Sequence, residues 1–269
     1  MTLAQDLPQE ILGIIFIRCL PDNALQLQPS SSLPPLVLCH VCSSWRKAAV
    51  GTPHLWTELS MQLPHTPGGK VLHTRFNALE FWGCHMGALL PSLHFQYVCL
   101  ERLMSRQEIR KLVPFQTFFQ SPVVLNAQSF TLDGFPNLNL LDSTSPGNIS
   151  FNNLEYLAVR QLSGRKHFAL PLQFPTCPRL RRLHIDYDAW SAERPSQIVT
   201  AFSWVNVTHL SAHLRLKRQD WYAILAQCAN MTSCSVVLRF LQEILPNDRP
   251  TTFHHHPRML GFGEKLPNF

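Results

Sequence analysis

The fold is decided between residues 154 and 236. The chain there reads Leu154-Glu-Tyr-Leu157-Ala-Val159, then Leu180-Arg-Arg-Leu183-His-Ile185, then Val207-Thr-His-Leu210-Ser-Ala212, then Met231-Thr-Ser-Cys234-Ser-Val236. Each copy follows the frame Leu-x-x-Leu-x-Leu, and successive copies start 26, 27 and 24 residues apart. A weaker copy at Ala127, Phe130 and Leu132 lies 27 residues before the first. The alternation at the end of each frame calls for a short strand with its apolar side chains on one face. The ~20 residues between copies then return over the other side, which predicts parallel strands stacked one per repeat.

This period and frame belong to leucine-rich repeats. Trp221, Ile224, Leu225 and Cys228 stand at helical spacing just before the fourth copy, as an outer packing helix requires. The same role fits Gln197 to Phe202. The asparagine expected at the ninth frame position is replaced by Leu162, Asp188, Arg215 and Arg239, which places the array among irregular repeats. Residues 61 to 125, with Phe81-Trp82 and Leu93-His-Phe95, read as one or two further degenerate copies; the clearest repeats span 127–240. After Val237 the chain passes Pro246, Pro250 and Pro257 and reaches Phe269 soon after Met259-Leu260, a stretch open to reading as either a complete or a truncated last repeat.

The third, fifth and seventh frame positions alternate away from the core. They are Tyr156, Ala158 and Arg160; Arg182, His184 and Asp186; His209, Ser211 and His213; and Ser233, Ser235 and Val237. Tyr156, Arg160, Arg182, His184, Asp186, His209 and His213 are the candidate substrate-binding residues, on a surface that suits an acidic or phosphorylated ligand. The alternative is an ordinary solvated face.

Composition agrees with a packed chain. Of 269 residues 15% are charged, against roughly 25% in an average soluble domain, and 41 are leucine, which excludes a disordered chain. Twenty-one prolines against 11 glycines favour many short elements joined by stiff turns. Residues 1–60 have a charge balance of −1, whereas residues 61–269 hold 20 basic and 13 acidic side chains. That asymmetry suggests two modules with different partners.

The N-terminal sixty residues read as three short helices. Asp6 and Gln9 can cap the first, and Pro8 is tolerated in its first turn. Its apolar residues form two stripes, Leu7, Ile11, Ile14 and Ile15 on one and Leu12, Phe16, Cys19 and Leu20 on the other. A helix apolar on two faces needs cover on both. A Ser/Pro/Gln-rich loop from Asn23 to Pro35 precedes a second helix, Leu36 to about Val50, with Gly51 as its C-terminal cap. A third element runs from Pro53 to Leu59. Trp45 and Trp56 stand either in the core of this unit or on its partner surface.

Three pieces of this region, Leu7-Pro8-x-Glu10-Ile11, Val41-Cys42-x-x-Trp45-Arg46 and Thr52-Pro53-x-Leu55-Trp56, occur in order and together resemble the F-box. The likeness is to the variant with a long first loop that, followed by degenerate leucine-rich repeats, is abundant in mushroom-forming basidiomycete fungi. The resemblance implies an α/β chain in which a three-helix F-box-like module (1–60) precedes an irregular leucine-rich-repeat solenoid of short parallel strands and outer helices (61–269). It also implies docking on the Skp-type adaptor of a cullin-RING ubiquitin ligase, in a subunit that catalyses nothing and delivers substrates. The matching adaptor-contact positions are Leu7, Pro8, Ile11, Ile14, Ile15, Val41, Cys42 and Trp45.

Other chemistries lack support. Cys39-His-Val-Cys42 has zinc-knuckle spacing but no second pair, and its cysteines fall on apolar helical stripes. His254-His-His256 sits in a proline-flanked loop. No nucleophile, phosphate-loop or dinucleotide motif occurs, so neither catalytic residues, a metal nor a cofactor is assigned. The basic residues Arg179, Arg181, Arg182, Arg215, Lys217 and Arg218 are too few for a nucleic-acid surface and lack its interleaved aromatics. The N-terminus lacks the pattern of a secretory signal, no apolar run reaches membrane-spanning length, and the eight cysteines read as reduced and mostly buried. The expected setting is cytoplasmic or nuclear. A repeat-based interaction scaffold unrelated to ubiquitin, its first helices merely capping the array, is the competing reading.

Overall fold

The computed structural model describes residues 7–21, 28–64, 69–98, 118–135, 150–160, 175–186, 199 and 202–240. The chain is α/β. One all-parallel sheet holds seven strands in chain order: β1 (Glu58–Pro64), β2 (Ser92–Val98), β3 (Ser129–Asp133), β4 (Tyr156–Arg160), β5 (Arg182–Asp186), β6 (His209–Leu216) and β7 (Ser233–Phe240). The register follows the sequence frame, with Leu157 opposite Leu183, Leu183 opposite Leu210 and Leu210 opposite Cys234.

Strands β4, β5 and β6 start the same way. The first frame residue is buried, and its amide donates to the carbonyl three residues back: Leu154 to Phe151 at 3.4 Å, Leu180 to Cys177 at 3.1 Å and Val207 to Trp204 at 3.1 Å. The inward residues Leu157, Val159, Leu183, Ile185, Leu210 and Ala212 are then buried on one side of the sheet. The ninth frame positions Arg215 and Arg239 are still inside β6 and β7 and pair with each other, so no loop asparagine belongs there; Leu162 and Asp188 lie outside the described residues. Stitching between turns comes instead from side chains just before the strands. Asn206 Nδ2 donates to the Pro178 carbonyl at 2.8 Å and Asn230 Nδ2 to that of Val205 at 2.9 Å. Thr208 and Thr232 hydroxyls donate to the Arg181 and Thr208 carbonyls at 3.1 and 3.0 Å.

Two strands precede the recognisable copies. β1 carries Trp56-x-x-Leu59-x-Met61 and β2 carries Leu90-x-x-Leu93-x-Phe95, but their registers start 34 and 37 residues before the next strand rather than 24 to 27. The first long interval holds helix α4 (Gly69–Met86), which includes Phe81-Trp82. It closes at Gly87, whose φ of +63° is the left-handed conformation that favours glycine. The expected packing helix is α6 (Arg218–Gln227), but its stripe is only partly inward: Ile224 is buried, Trp221 is half-buried and Leu225 is exposed, with Cys228 following in the core. Helix α5 (Pro122–Leu125) is a single turn before β3. Most of the expected Gln197–Phe202 helix, and the C-terminal features from Pro246 to Phe269, lie outside the described residues.

The N-terminal region departs from expectation in three places. The helix expected over 36–50 is two, α2 (Leu36–Cys39) and α3 (Ser43–Val50). Cys42 between them is extended, and its Sγ accepts the Trp45 amide at 3.5 Å as the N-cap of α3. Arg46 Nε donates to the Cys39 carbonyl at 2.8 Å, satisfying the end of α2. Gln9, in α1 (Gln9–Arg18), does not cap its own helix but reaches the Lys47 carbonyl at the end of α3 at 3.4 Å; Asp6 lies outside the described residues. Finally, residues 58–60, read as the end of the helical module, begin β1, so the boundary expected at residue 60 cuts a strand.

The core explains this junction. Leu12, Phe16, Ala48, Ala49, Leu55 and Trp56 belong to the same buried cluster as the inward residues of every strand from β1 to β6. Trp56, in the 3-10 turn Pro53–Trp56, is the join: its Nε1 donates to the Ala49 carbonyl at 2.9 Å and its ring stacks edge-on with Trp82 at 5.1 Å. Between β2 and β4 the core is aromatic rather than leucine, with Phe130 5.4 Å from Phe95 and 5.8 Å from Phe151. Among the described residues no helix is long and apolar enough to cross a membrane. The cysteines are buried less uniformly than expected: Cys39, Cys177 and Cys228 are buried, whereas Cys19, Cys84 and Cys234 are exposed. Burial pushes the Cys177 thiol up to about 12.

Candidate functional site

Two surfaces collect the candidate residues. The first is on α1, where one stripe buries Leu12 and Phe16, half-buries Leu20 and leaves Cys19 exposed. Leu12, Gly13 and Phe16 face the core, Phe16 meeting Trp45 at 5.0 Å. Leu7, Ile11, Ile14 and Ile15 are exposed, Ile14 to 60% and Ile11 to 44%. Val41, at the α2–α3 break, is 57% exposed. Pro8 is exposed too, whereas Cys42 is half-buried as the α3 cap and Trp45 is half-buried against Phe16. Of the eight adaptor-contact candidates, six are therefore open to a partner and two serve mainly to hold α3. Trp56 is core.

The exposed isoleucines are unusual for a short surface helix. Burying one such side chain is worth about 1.5–3 kcal/mol, and a helix that leaves several in water forgoes that stabilisation unless a partner supplies it.

The second surface is the side of the sheet opposite the core. The parallel registers align the outward residues in rows across all seven strands. One row is Glu58, Ser92, Ser129, Tyr156, Arg182, His209 and Ser233; another is Ser60, His94, Thr131, Ala158, His184, Ser211 and Ser235. The last is Gln62, Gln96, Asp133, Arg160, Asp186, His213 and Val237. All seven substrate-binding candidates lie in these rows, with Arg182, Asp186 and His209 exposed and Tyr156, Arg160, His184 and His213 half-buried. Arg182 stands over the Tyr156 ring at 5.7 Å. Ala158 departs from expectation: it is buried although it faces away from the core, because its larger neighbours in the rows close around so short a side chain.

His184 is held below its ordinary pKa of 6.5, first by burial and then by the Arg160 guanidinium, with Asp186 and Asp133 opposing. The folded chain thus resists protonating this ring. Its contribution to stability is complete above pH 6.5 and is lost as pH falls from there through the folded-state value. In an NMR titration the His184 ring should titrate below pH 6.5, and Arg160→Gln should move the midpoint upward. An unmoved midpoint would remove Arg160 as a cause.

Sequence reasoning missed a polar chain on the first three strands. Ser60 Oγ lies 3.0 Å from His94 Nδ1, and His94 Nε2 lies 2.7 Å from Asp133 Oδ2. An ionised carboxylate only accepts, so Nε2 carries the proton and, in the neutral ring, Ser60 donates to Nδ1. Extending the frame back to Trp56 and Leu90 would have shown Ser60 and His94 as fifth-position residues in one row. Ser60 is 2% exposed, so its hydroxyl is closed to an incoming electrophile in this conformation. The chain's evident effect is to tie β1, β2 and β3 together. His94→Ala leaves a buried hydroxyl and a carboxylate without this partner and should cost about 2–3 kcal/mol, read as a lower denaturant midpoint; a loss under about 0.5 kcal/mol, the scale of an ordinary surface substitution, would count against that role.

Compared with known proteins, the chain matches no family model, no curated protein and no solved structure. The functional reading therefore rests on these two surfaces.

Proposed function

We propose that the chain is the substrate-recognition subunit of a cullin-RING ubiquitin ligase. In this reading α1–α3 form an F-box-like module that docks on a Skp-type adaptor and, through it, on a cullin. The seven-stranded sheet is an irregular leucine-rich-repeat array whose outward face binds the target protein. The subunit catalyses no bond change itself, and its two surfaces divide holding and selecting between them.

The observation that carries this is the split α1 helix. Its inner stripe is spent on the chain's own core, while Leu7, Ile11, Ile14 and Ile15 face outward beside Val41. These are the positions that the resemblance assigns to the adaptor. The competing scaffold reading needs α1 only as a cap, and a cap has its polar side outward; the exposed isoleucines favour a partner instead.

The test is direct mixing of the purified full-length chain with a purified Skp-type adaptor, followed by size-exclusion chromatography. Co-elution as a one-to-one complex is the expected result. Separate elution at concentrations well above the micromolar range would overturn the proposal. Deleting residues 1–60 is a poor alternative, because it removes part of β1 and half of the Trp56 junction and so unfolds the chain under either reading.

A further inference from the structure

The outward face of the sheet has an uneven charge balance. Asp133 bonds His94 at 2.7 Å, and Asp186 faces His213 at 3.7 Å. Among the described residues neither Arg160 nor Arg182 has a carboxylate within 4.0 Å, although the register sets Arg160 opposite Asp186 and next to Asp133. Asp133 and Asp186 thus face histidines, and two guanidiniums, each able to hold a carboxylate or phosphate through paired N–H donors, are left available.

Their placement has a definite spacing. Arg182 lies opposite Tyr156, and Arg160 is four residues further along β4. At a rise of about 3.3 Å per residue that separates the two positions by ~13 Å along the strand direction. An extended peptide repeats at nearly the same rise, so its residues i and i+4 match the two arginines. Between them lies Ala158, the short side chain of the row, with His184 opposite it. At the Arg182 end an open recess of about 340 Å³ is lined by Ser92, Gln128, Ser129, Glu155, Tyr156 and Arg182. Two serine hydroxyls and a guanidinium there can donate to an anion, against the opposing charge of Glu155 in the same recess.

We propose, building on the receptor reading above, that this face recognises an extended protein segment carrying two anionic side chains four residues apart, one held by Arg182 in the recess and the other by Arg160. Aspartate, glutamate and phosphoserine share the required chemistry. The segment runs along the strand direction over the row that holds Ala158 and His184.

The experiment uses the full chain and fluorescein-labelled glycine-rich peptides in fluorescence anisotropy. Two glutamates are placed two, four or six residues apart, with a phosphoserine version and a lysine version of the four-residue spacing. The expected result is tightest binding at spacing four, for glutamate or phosphoserine, weakened by added salt. The phosphoserine-to-glutamate ratio identifies which source of charge is preferred. Arg160→Gln and Arg182→Gln should each weaken binding about tenfold, the scale of one lost charge-assisted contact, with the thermal midpoint retained. Arg182→Lys should recover only part. No anionic binding, equal binding of the lysine peptide, or no dependence on spacing would overturn the proposal. Adaptor co-elution is measured on the same preparation and reports on the receptor reading separately, since neither arginine is near α1 in the chain or in the sheet.

Discussion

Replacing Ile11 and Ile14 together by glutamate should abolish adaptor binding while leaving the fold intact. Both side chains are on the outer stripe of α1, and Leu12 and Phe16 on the inner stripe remain to hold the helix. Each isoleucine buried in an interface contributes about 1.5–3 kcal/mol, so losing two removes about 3–6 kcal/mol before the cost of burying a carboxylate. At 1.4 kcal/mol per tenfold change, affinity should fall by at least about 100-fold. The thermal midpoint should stay within about 2 °C of the parent, because exposed positions rarely move stability by more than about 0.5 kcal/mol. Undiminished capture of the adaptor by this variant would sink the docking proposal. A large drop in midpoint would show instead that the stripe is structural.

The second large effect is expected at Trp56. Its ring is fully buried, touches Trp82 and Phe81 on α4, and donates its indole hydrogen to Ala49 of α3. Trp56→Ala should cost about 3–5 kcal/mol from lost burial and the cavity left behind, with the unpaired Ala49 carbonyl adding to it. Against a total stability of roughly 5–15 kcal/mol that is enough to unfold much of the population on mild heating. The manner of unfolding matters as much as its size. Because α1, α3 and the strands share one core cluster, helical and sheet signals should be lost in a single transition. Helices melting well below an intact sheet would show two independent units instead. Trp45→Ala, at a half-buried ring in contact with Phe16, should have a smaller effect on stability.

The strands from β3 to β7 were legible in the sequence because each repeat places Leu157, Leu183 or Leu210 at the same frame position and spaces it regularly. β1 was not, and β2 was marked only as a degenerate copy at Leu93-His-Phe95, although their frames are as good. α4 lengthens the first interval, and Trp56 and Phe95 stand where leucine is expected, so the period does not reach them. The break at Cys42 was hidden for a different reason. Both halves of 36–50 keep helical apolar spacing, and only the thiol taking the Trp45 amide and Arg46 bonding Cys39 distinguish two helices from one. Local periodicity carries no information on a cap of that kind.

The candidate site was legible to a different degree on its two surfaces. On α1 the stripes were separable from sequence, but which stripe faces inward is a matter of tertiary packing. The structure turns Leu12 and Phe16 inward and leaves Ile11 and Ile14 outward. On the sheet, alternation placed Tyr156, Arg182 and His184 on the outward face correctly as a geometric matter. It could not show that Asp133 faces a histidine, because His94 lies on a strand the period did not reach. The anion spacing between Arg182 and Arg160 likewise needs the register, which only the paired strands supply.

The central claim is that the outer face of α1 is a partner surface. Amide hydrogen exchange on the full-length chain, with and without a saturating purified Skp-type adaptor, tests it most directly. The expected result is slowed exchange over residues 9–18 and 41–46 on adaptor binding, with β4 to β7 unchanged. Unchanged exchange in α1, or protection confined to the sheet, would contradict it.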